Sequence, residues 1–227
     1  KCINRRNAMI LHWVLNIIGC VSGAVVSYGI GRESYSLMFI FIVGILWFYS
    51  TTFSKEPILG NIIVAILVAM VPLIEVMYEL LPILSLPIEA ITQLNINFEE
   101  IMLWSFGYAI FAFLLTLLRE MVKDIEDVEG DKTYGRNTLP IAFGIKTARH
   151  TSVGVGIVIL IAFAFVQVCK LHDVYSLFFI NIGITIPFLY SLVIFIKAKT
   201  SEDYAKVSLS LKLVMMMGLL YLLGKLI

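Results

Sequence analysis

Seven apolar runs of bilayer-crossing length divide this chain of 227 residues, at about 8–30, 35–53, 58–78, 101–119, 151–171, 174–197 and 206–227. A helical span needs roughly 20 mostly apolar residues. In hydrocarbon every backbone polar group must be satisfied inside the protein, which leaves only helices or a closed barrel. The strict alternation of barrel strands is absent. The expected fold class is therefore all-α, a polytopic transmembrane helix bundle with seven spans. Hydrophobic residues at 60% and a mean hydropathy of +0.95 exclude a soluble domain. No stretch has a linker's charge or Pro/Ser content, so residues 1–227 read as one domain. The partner implied is the lipid bilayer, and nothing points to nucleic acid.

Orientation follows from the bases. Arg32, Lys170 and Lys225 fall on one side and Lys212 lies inside the last run, which leaves 13 of the 17 Lys and Arg on the other side. The positive-inside rule places that richer side in the cytoplasm, with the N-terminus and the 198–205 loop. An integral protein of the plasma (inner) membrane is expected. Residues 1–7 are polar and basic and the first run is longer than a signal core, so no cleavable leader is expected. The loop at 79–100 differs in kind. It carries Pro82, Pro87, Glu79, Glu89, Glu99 and Glu100 without a base, and a short interfacial helix fits there.

Immediately after the fourth run, residues 119–137 hold six acids and four bases. Glu120, Asp124, Asp127 and Asp131 recur at i, i+4, i+7 and i+11, one face of a helix. Such a row repels itself unless cations neutralise it. Magnesium, with all-oxygen coordination completed by phosphate, suits these groups, and the interleaved bases suit the same phosphate. A solvated loop is the bland alternative, but a loop needs no helical spacing. Gly130, Gly135 and Pro140 predict that the helix ends near Asp131 and turns back.

Other polar residues carry less. Asn61 stands one turn inside an apolar run, where an amide must find a partner. Glu75 in the third run is open between a buried hydrogen bond, a protonated carboxyl and chemistry. Lys212 can snorkel or pair with an acid. His12, His150 and His172 have no metal-ligand spacing and are read as structural. Cys2, Cys20 and Cys169 have none either, and the last two are expected as buried apolar thiols.

Asp124-x-x-Asp127-x-x-x-Asp131, continuing as Tyr134-Gly135-Arg136-Asn137-Thr138-Leu139-Pro140, resembles the second aspartate-rich motif of the UbiA superfamily of intramembrane prenyltransferases. Tyr49-Ser50 followed by Leu59-Gly60-Asn61 resembles that family's segment two spans earlier, and Ile3-Asn4-Arg5-Arg6-Asn7-Ala8 resembles the loop into its third span. The resemblance covers the whole chain. It implies a magnesium-dependent transfer of an isoprenyl group from a prenyl diphosphate to a lipophilic acceptor. It further implies that Asp124, Asp127 and Asp131 hold Mg2+ and form the catalytic centre. Lys123, Lys132, Arg136 and Tyr134 would contact substrate, with Tyr49, Lys55 and Asn61 on the facing wall and Glu120 nearby.

Two departures stand out. The family has nine spans and a first motif of the form N-x-x-x-D-x-x-x-D. This chain has seven spans without that motif, so it is expected to correspond to spans three to nine. The family's basic residue after Tyr-Ser falls on Ser54, with Lys55 beside it. The wording from Arg119 to Asp131 is similar to the branch that transfers geranylgeranyl to geranylgeranylglyceryl phosphate in ether-lipid synthesis. An aromatic acceptor of quinone biosynthesis is the alternative. A CDP-alcohol phosphotransferase would need Ala-Arg at a set spacing after Asp-Gly, whereas here Gly130 precedes Asp131. A cation transporter would place its acids near the midplane.

Overall fold

The computed structural model describes residues 4–94, 96–170 and 173–225. Cys2, Ile3 and His172, noted above, lie outside the described residues, as does Lys1, one of the 13 bases assigned to the richer side. The helices are α1 (Arg5–Gly29), α2 (Ser36–Thr51), α3 (Leu59–Ile83), α4 (Ile88–Gln93), α5 (Phe98–Glu126) and α6 (Val128–Thr133). They continue as α7 (Leu139–Phe143), α8 (Ile145–Lys170), α9 (Val174–Phe179), α10 (Ile186–Lys197) and α11 (Ser201–Lys225). Among the described residues there is no strand. Seven helical segments are long and apolar enough to cross a membrane, one for each predicted run. This is an all-α integral membrane protein. The short helix expected in the 79–100 loop is α4, begun at Pro87, whose fixed φ suits a helix start.

Two expectations are corrected. Only Cys20 is partly buried and Cys169 is exposed, because lipid itself supplies the apolar surroundings that a thiol accepts. The helix expected to end near Asp131 and turn back does end at Thr133, before Gly135, but it is interrupted at Asp127, stopping at Glu126 and resuming at Val128. At 29 residues α5 is about 43 Å long, more than the hydrocarbon core requires. Its last turns therefore carry the charged residues beyond the apolar run.

The chain divides into two compact units, residues 1–53 with 70–107 and residues 54–69 with 108–227. In the first, α1 and α2 lie against each other and the later part of α3 is keyed in by Tyr78. The Tyr78 hydroxyl shares a hydrogen bond of 2.7 Å with the fully buried Ser27. The rings of Tyr35 and Phe39 meet Tyr78 edge-on at 5.9 and 6.1 Å. Gly23 lets Phe39 lie directly on the backbone of α1, where an added Cβ would overlap the ring. A small, mostly apolar pocket follows, lined by Ser22, Gly23, Phe39, Ile74, Glu75 and Tyr78 among others. Glu75 stands at its exposed edge.

The second unit packs α8, α10 and α11 around buried Ile159, Phe188, Phe195 and Leu211. Phe111 stacks on Phe163 at 4.8 Å, and Phe163 meets Phe188 edge-on at 5.6 Å. Gly156 lets α8 approach Leu192 of α10 closely, as small residues do between membrane helices. Hydroxyls bridge the helices where no water competes. Ser191 pairs with Ser210 at 2.7 Å, and Tyr221 donates to Ser176 at 2.7 Å. Between α9 and α10 one turn, Ile180–Thr185, is π-helical. Within it the Asn181 amide donates to the Leu177 carbonyl at 2.8 Å and to Gln167 of α8 at 3.1 Å.

The glycines give a direct check. Gly23→Ala should destabilise the protein in detergent by roughly 1–3 kcal/mol, because Phe39 must leave its place. Gly19→Ala on the same helix meets nothing within 4 Å, so it should be neutral or gain up to about 1 kcal/mol from helix propensity. Thermal unfolding of the two variants side by side tests this, and equal melting temperatures would refute it.

Candidate functional site

The elements that supply the polar cluster belong to the second unit. The start of α3 supplies Asn61, the end of α5 supplies Asp124, and α6 with the loop after it supplies Asp131 and Arg136. The break at Asp127 does not lose the helical register. The Asp127 amide donates to the Lys123 carbonyl at 2.9 Å, and the Asp131 amide to the Asp127 carbonyl at 2.9 Å. Both are i to i−4 bonds, so Asp124, Asp127 and Asp131 keep the spacing that places them along one face.

Asn61 finds the partner that its place in a span demands. Its side-chain amide donates to Asp124 Oδ2 at 2.7 Å, a charge-assisted bond across 63 positions of sequence. Asp124 is half-buried and within electrostatic reach of Asp131, Glu120 and Arg136. Asp131 is buried, with Arg136 Nη1 donating to its Oδ1 at 3.3 Å. Burial raises the Asp131 pKa above the usual carboxylate value, and the Arg136 charge pulls the other way. Asp127 is exposed.

The turn after α6 depends on Gly135, whose φ of +67° suits glycine. The Arg136 amide then donates back to the Asp131 carbonyl at 3.0 Å. Next, the Asn137 amide donates to the Lys55 carbonyl at 3.1 Å, which fastens the loop to the segment leading into α3. Leu139 and Pro140 are buried and anchor the far end of the loop. The Thr138 hydroxyl is buried there without a hydrogen-bond partner.

The structure thus gathers Asn61, Asp124, Asp131 and Arg136, with the Lys55 backbone alongside. Lys123, Lys132 and Tyr134 are exposed around them, as is the side chain of Lys55. Tyr49 lies in α2, in the first unit. Glu120 is engaged by Arg119 at 2.5 Å. That ion pair joins sequence neighbours, which ordinarily do not face each other on a helix, so no spacing rule would reveal it. Lys212 of α11 lies within electrostatic reach of Glu126, and only its presence in an apolar run marked it in the sequence.

Among the described residues no three His, Cys, Asp or Glu converge tightly enough to enclose a metal ion. The donor chemistry nevertheless fits magnesium. That ion takes one or two carboxylates and fills its octahedral shell with water and substrate phosphate, and it needs no complete protein cage. Asp124 and Asp131, within electrostatic reach of each other, offer hard oxygens, and each is already oriented by one hydrogen bond.

The Asn61–Asp124 bond can be isolated by mutation. A double-mutant cycle of Asn61→Ala and Asp124→Ala, followed by unfolding in detergent, should give a coupling of about 1–3 kcal/mol. Additive effects would show that the bond holds nothing together.

A family description for UbiA prenyltransferases matches residues 2–218 of this chain. A digeranylgeranylglyceryl phosphate synthase of Methanosphaera stadtmanae is 36% identical over 108 residues, covering 48% of this chain and 39% of that protein. One from Methanobrevibacter smithii is 28% identical over 217 residues, covering 92% of this chain and 68% of the relative. A solved structure from work on digeranylgeranylglyceryl phosphate synthase in membranes superposes with a TM-score of 0.56. It has 24% identity and covers 96% of this chain and 68% of that one, a likeness of fold. The chain thus spans less than two-fifths of the length of the Methanosphaera relative and about two-thirds of the other two.

Proposed function

This chain belongs to the UbiA prenyltransferase family, and on that premise we propose that it transfers an isoprenyl group from a prenyl diphosphate to a lipophilic acceptor. The best-supported pair is geranylgeranyl diphosphate with geranylgeranylglyceryl phosphate, because the similar curated proteins are synthases of digeranylgeranylglyceryl phosphate. An aromatic acceptor is the alternative reading. The observation that carries the proposal is the charged array at the end of α5, with Asp124 fixed by Asn61 and Asp131 by Arg136.

Asp124, Asp127 and Asp131 would hold magnesium, which when bound offsets the charge growing on the departing diphosphate. The residues of the chain set the rest. The Asn61 amide orients Asp124, so that its free oxygen is available to a ligand. Arg136 holds Asp131 and presents its remaining guanidinium donors to phosphate, in the planar fork that suits such oxygens. Lys123 and Lys132, exposed beside the acids, add point charges to the same anion, and Tyr134 lies next to them on the loop. The Lys55 carbonyl, bonded to the Asn137 amide, keeps this loop in place as substrate enters. An allylic cation reacts with any water present, and the apolar spans below the charged rim exclude it.

Asp127→Asn and Asp131→Asn, each made in full-length protein, should cut magnesium-dependent turnover by at least about 100-fold, the scale of losing one electrostatic stabiliser of the transition state. Neither should unfold the protein. Asp127 is exposed, and Asp131→Asn removes a charge that burial already disfavours. Product formation and melting temperature, measured together, decide. Full activity in either variant would sink the assignment.

The mouth is proposed to face the cytoplasm at the plasma membrane, since 13 of 17 bases lie on its side. A single cysteine at position 132, introduced in a background without the three native cysteines, should react with an impermeant thiol reagent only in inverted vesicles. Labelling of intact cells would reverse the orientation.

A further inference from the structure

The end of α5 carries a second charged face, one residue out of step with the aspartate row. Glu120, Asp124 and Asp127 recur at i, i+4 and i+7, and so do Arg119, Lys123 and Glu126. On a helix the two stripes stand roughly 100° apart. They are neighbouring faces, and Lys123 borders both. The Ser201 hydroxyl of α11 donates to the Glu126 carbonyl at 3.1 Å, and Glu126 lies within electrostatic reach of Asp127 and of the cations Lys123, Lys212 and Arg119, so α11 adds a cation to this face. Lys212 belongs to the span Ser201–Leu222, where an ionisable side chain is costly and calls for a function.

Two buried donors on this face lack an acceptor. Arg119 gives Nη1 to Glu120, yet its Nε is buried with no hydrogen-bond partner. Thr116, one turn deeper on the same stripe and 3% exposed, has a buried hydroxyl without a partner. Serine and threonine in helices ordinarily satisfy the hydroxyl on the preceding turn, as Thr151 and Ser152 do here. Arg119 and Thr116, with their two orphaned donors, thus lie on one stripe of α5, Lys212 of α11 joins them through Glu126, and Lys123 stands at the border with the aspartate face. The carboxylates near them are Glu126, Asp127 beside it, and Glu120, the last engaged by Arg119.

We propose that this face, centred on Arg119 and Lys212, binds the phosphomonoester of the acceptor lipid, beside the aspartate face that takes the prenyl diphosphate. The inference rests on the functional reading above and adds the site that recognises the acceptor. The two substrates bring three phosphorus centres to one boundary, and their mutual repulsion needs cations on each side, Arg119 and Lys212 for the acceptor and Lys132 and Arg136 for the diphosphate, with Lys123 between the two anions. Neighbouring stripes of α5 keep the two anions apart while holding both head groups at the same depth. The acceptor's nucleophilic end then lies next to the carbon that loses diphosphate. Anchored at its phosphate, the acceptor leaves its isoprenoid chain in the apolar layer.

The test uses full-length protein and the variants Lys212→Met, Lys212→Arg and Glu126→Gln. Lys212→Met should raise both Kd and KM for geranylgeranylglyceryl phosphate by roughly tenfold, the scale of one charge-assisted contact. Its KM for geranylgeranyl diphosphate should stay within about twofold of the starting value. Lys212→Arg should regain most of the loss. Glu126→Gln removes a carboxylate from the face and should tighten acceptor binding, a sign that a damaged fold cannot imitate. Acceptor binding measured without prenyl diphosphate separates these effects from turnover. An unchanged acceptor Kd in Lys212→Met, or equal rises for both substrates, overturns the proposal while leaving the functional reading standing. Starting protein that transfers to an aromatic acceptor and ignores the phosphorylated one overturns both.

Discussion

Carboxylates one helical turn apart repel one another, and α5 ends in a row of them. What surrounds that row follows from the need to hold it. Asn61 reaches from the start of α3 to Asp124, Arg136 turns back onto Asp131, and Arg119 takes Glu120. Each contact removes part of the repulsion without removing the charge, so an oxygen-seeking cation still has ligands to find. A fully neutralised row would be more stable and would have nothing to offer a metal.

The position of this array is as consequential as its composition. Because α5 outruns its apolar stretch, its charges emerge at the boundary, where water and ions reach them, while the helix below stays in lipid. The rest of the second unit is joined by contacts suited to a dry interior. Serine and tyrosine hydroxyls pair between helices, and Gly156 allows a close crossing. Chemistry that generates a carbocation requires that division, with polar groups at a rim and apolar walls beneath it.

Much of this was legible in the residues. Run length gave seven spans, and aspartate spacing gave a helical face. An amide inside a span announced that Asn61 must have a partner, although not that the partner would be Asp124. The break at Asp127 was not legible, since Gly130, the visible punctuation, lies inside α6 and no residue at 127 forbids a helix. The link from Lys55 to Asn137 joins backbone to backbone, so no side chain records it. The face built on Arg119 and Lys212 was concealed for another reason. Its members come from helices far apart in sequence, and the aspartates beside them dominate the pattern. The exposure of Cys169 shows the limit of reading apolar runs as buried, since in lipid an apolar residue can be content at the surface.

The π-helical turn between α9 and α10 has a different kind of consequence. A turn of that type holds one residue more than its α-helical equivalent, so it absorbs an insertion without turning the rest of the helix about its axis. Ser176 on one side of Ile180–Thr185 meets Tyr221, and Ser191 on the other meets Ser210. Both contacts are made with α11, from segments whose angular phase is set independently on either side of the widened turn. The bulge therefore works as a phase adjuster, through which two stretches of one span can be fitted separately to the same neighbouring helix.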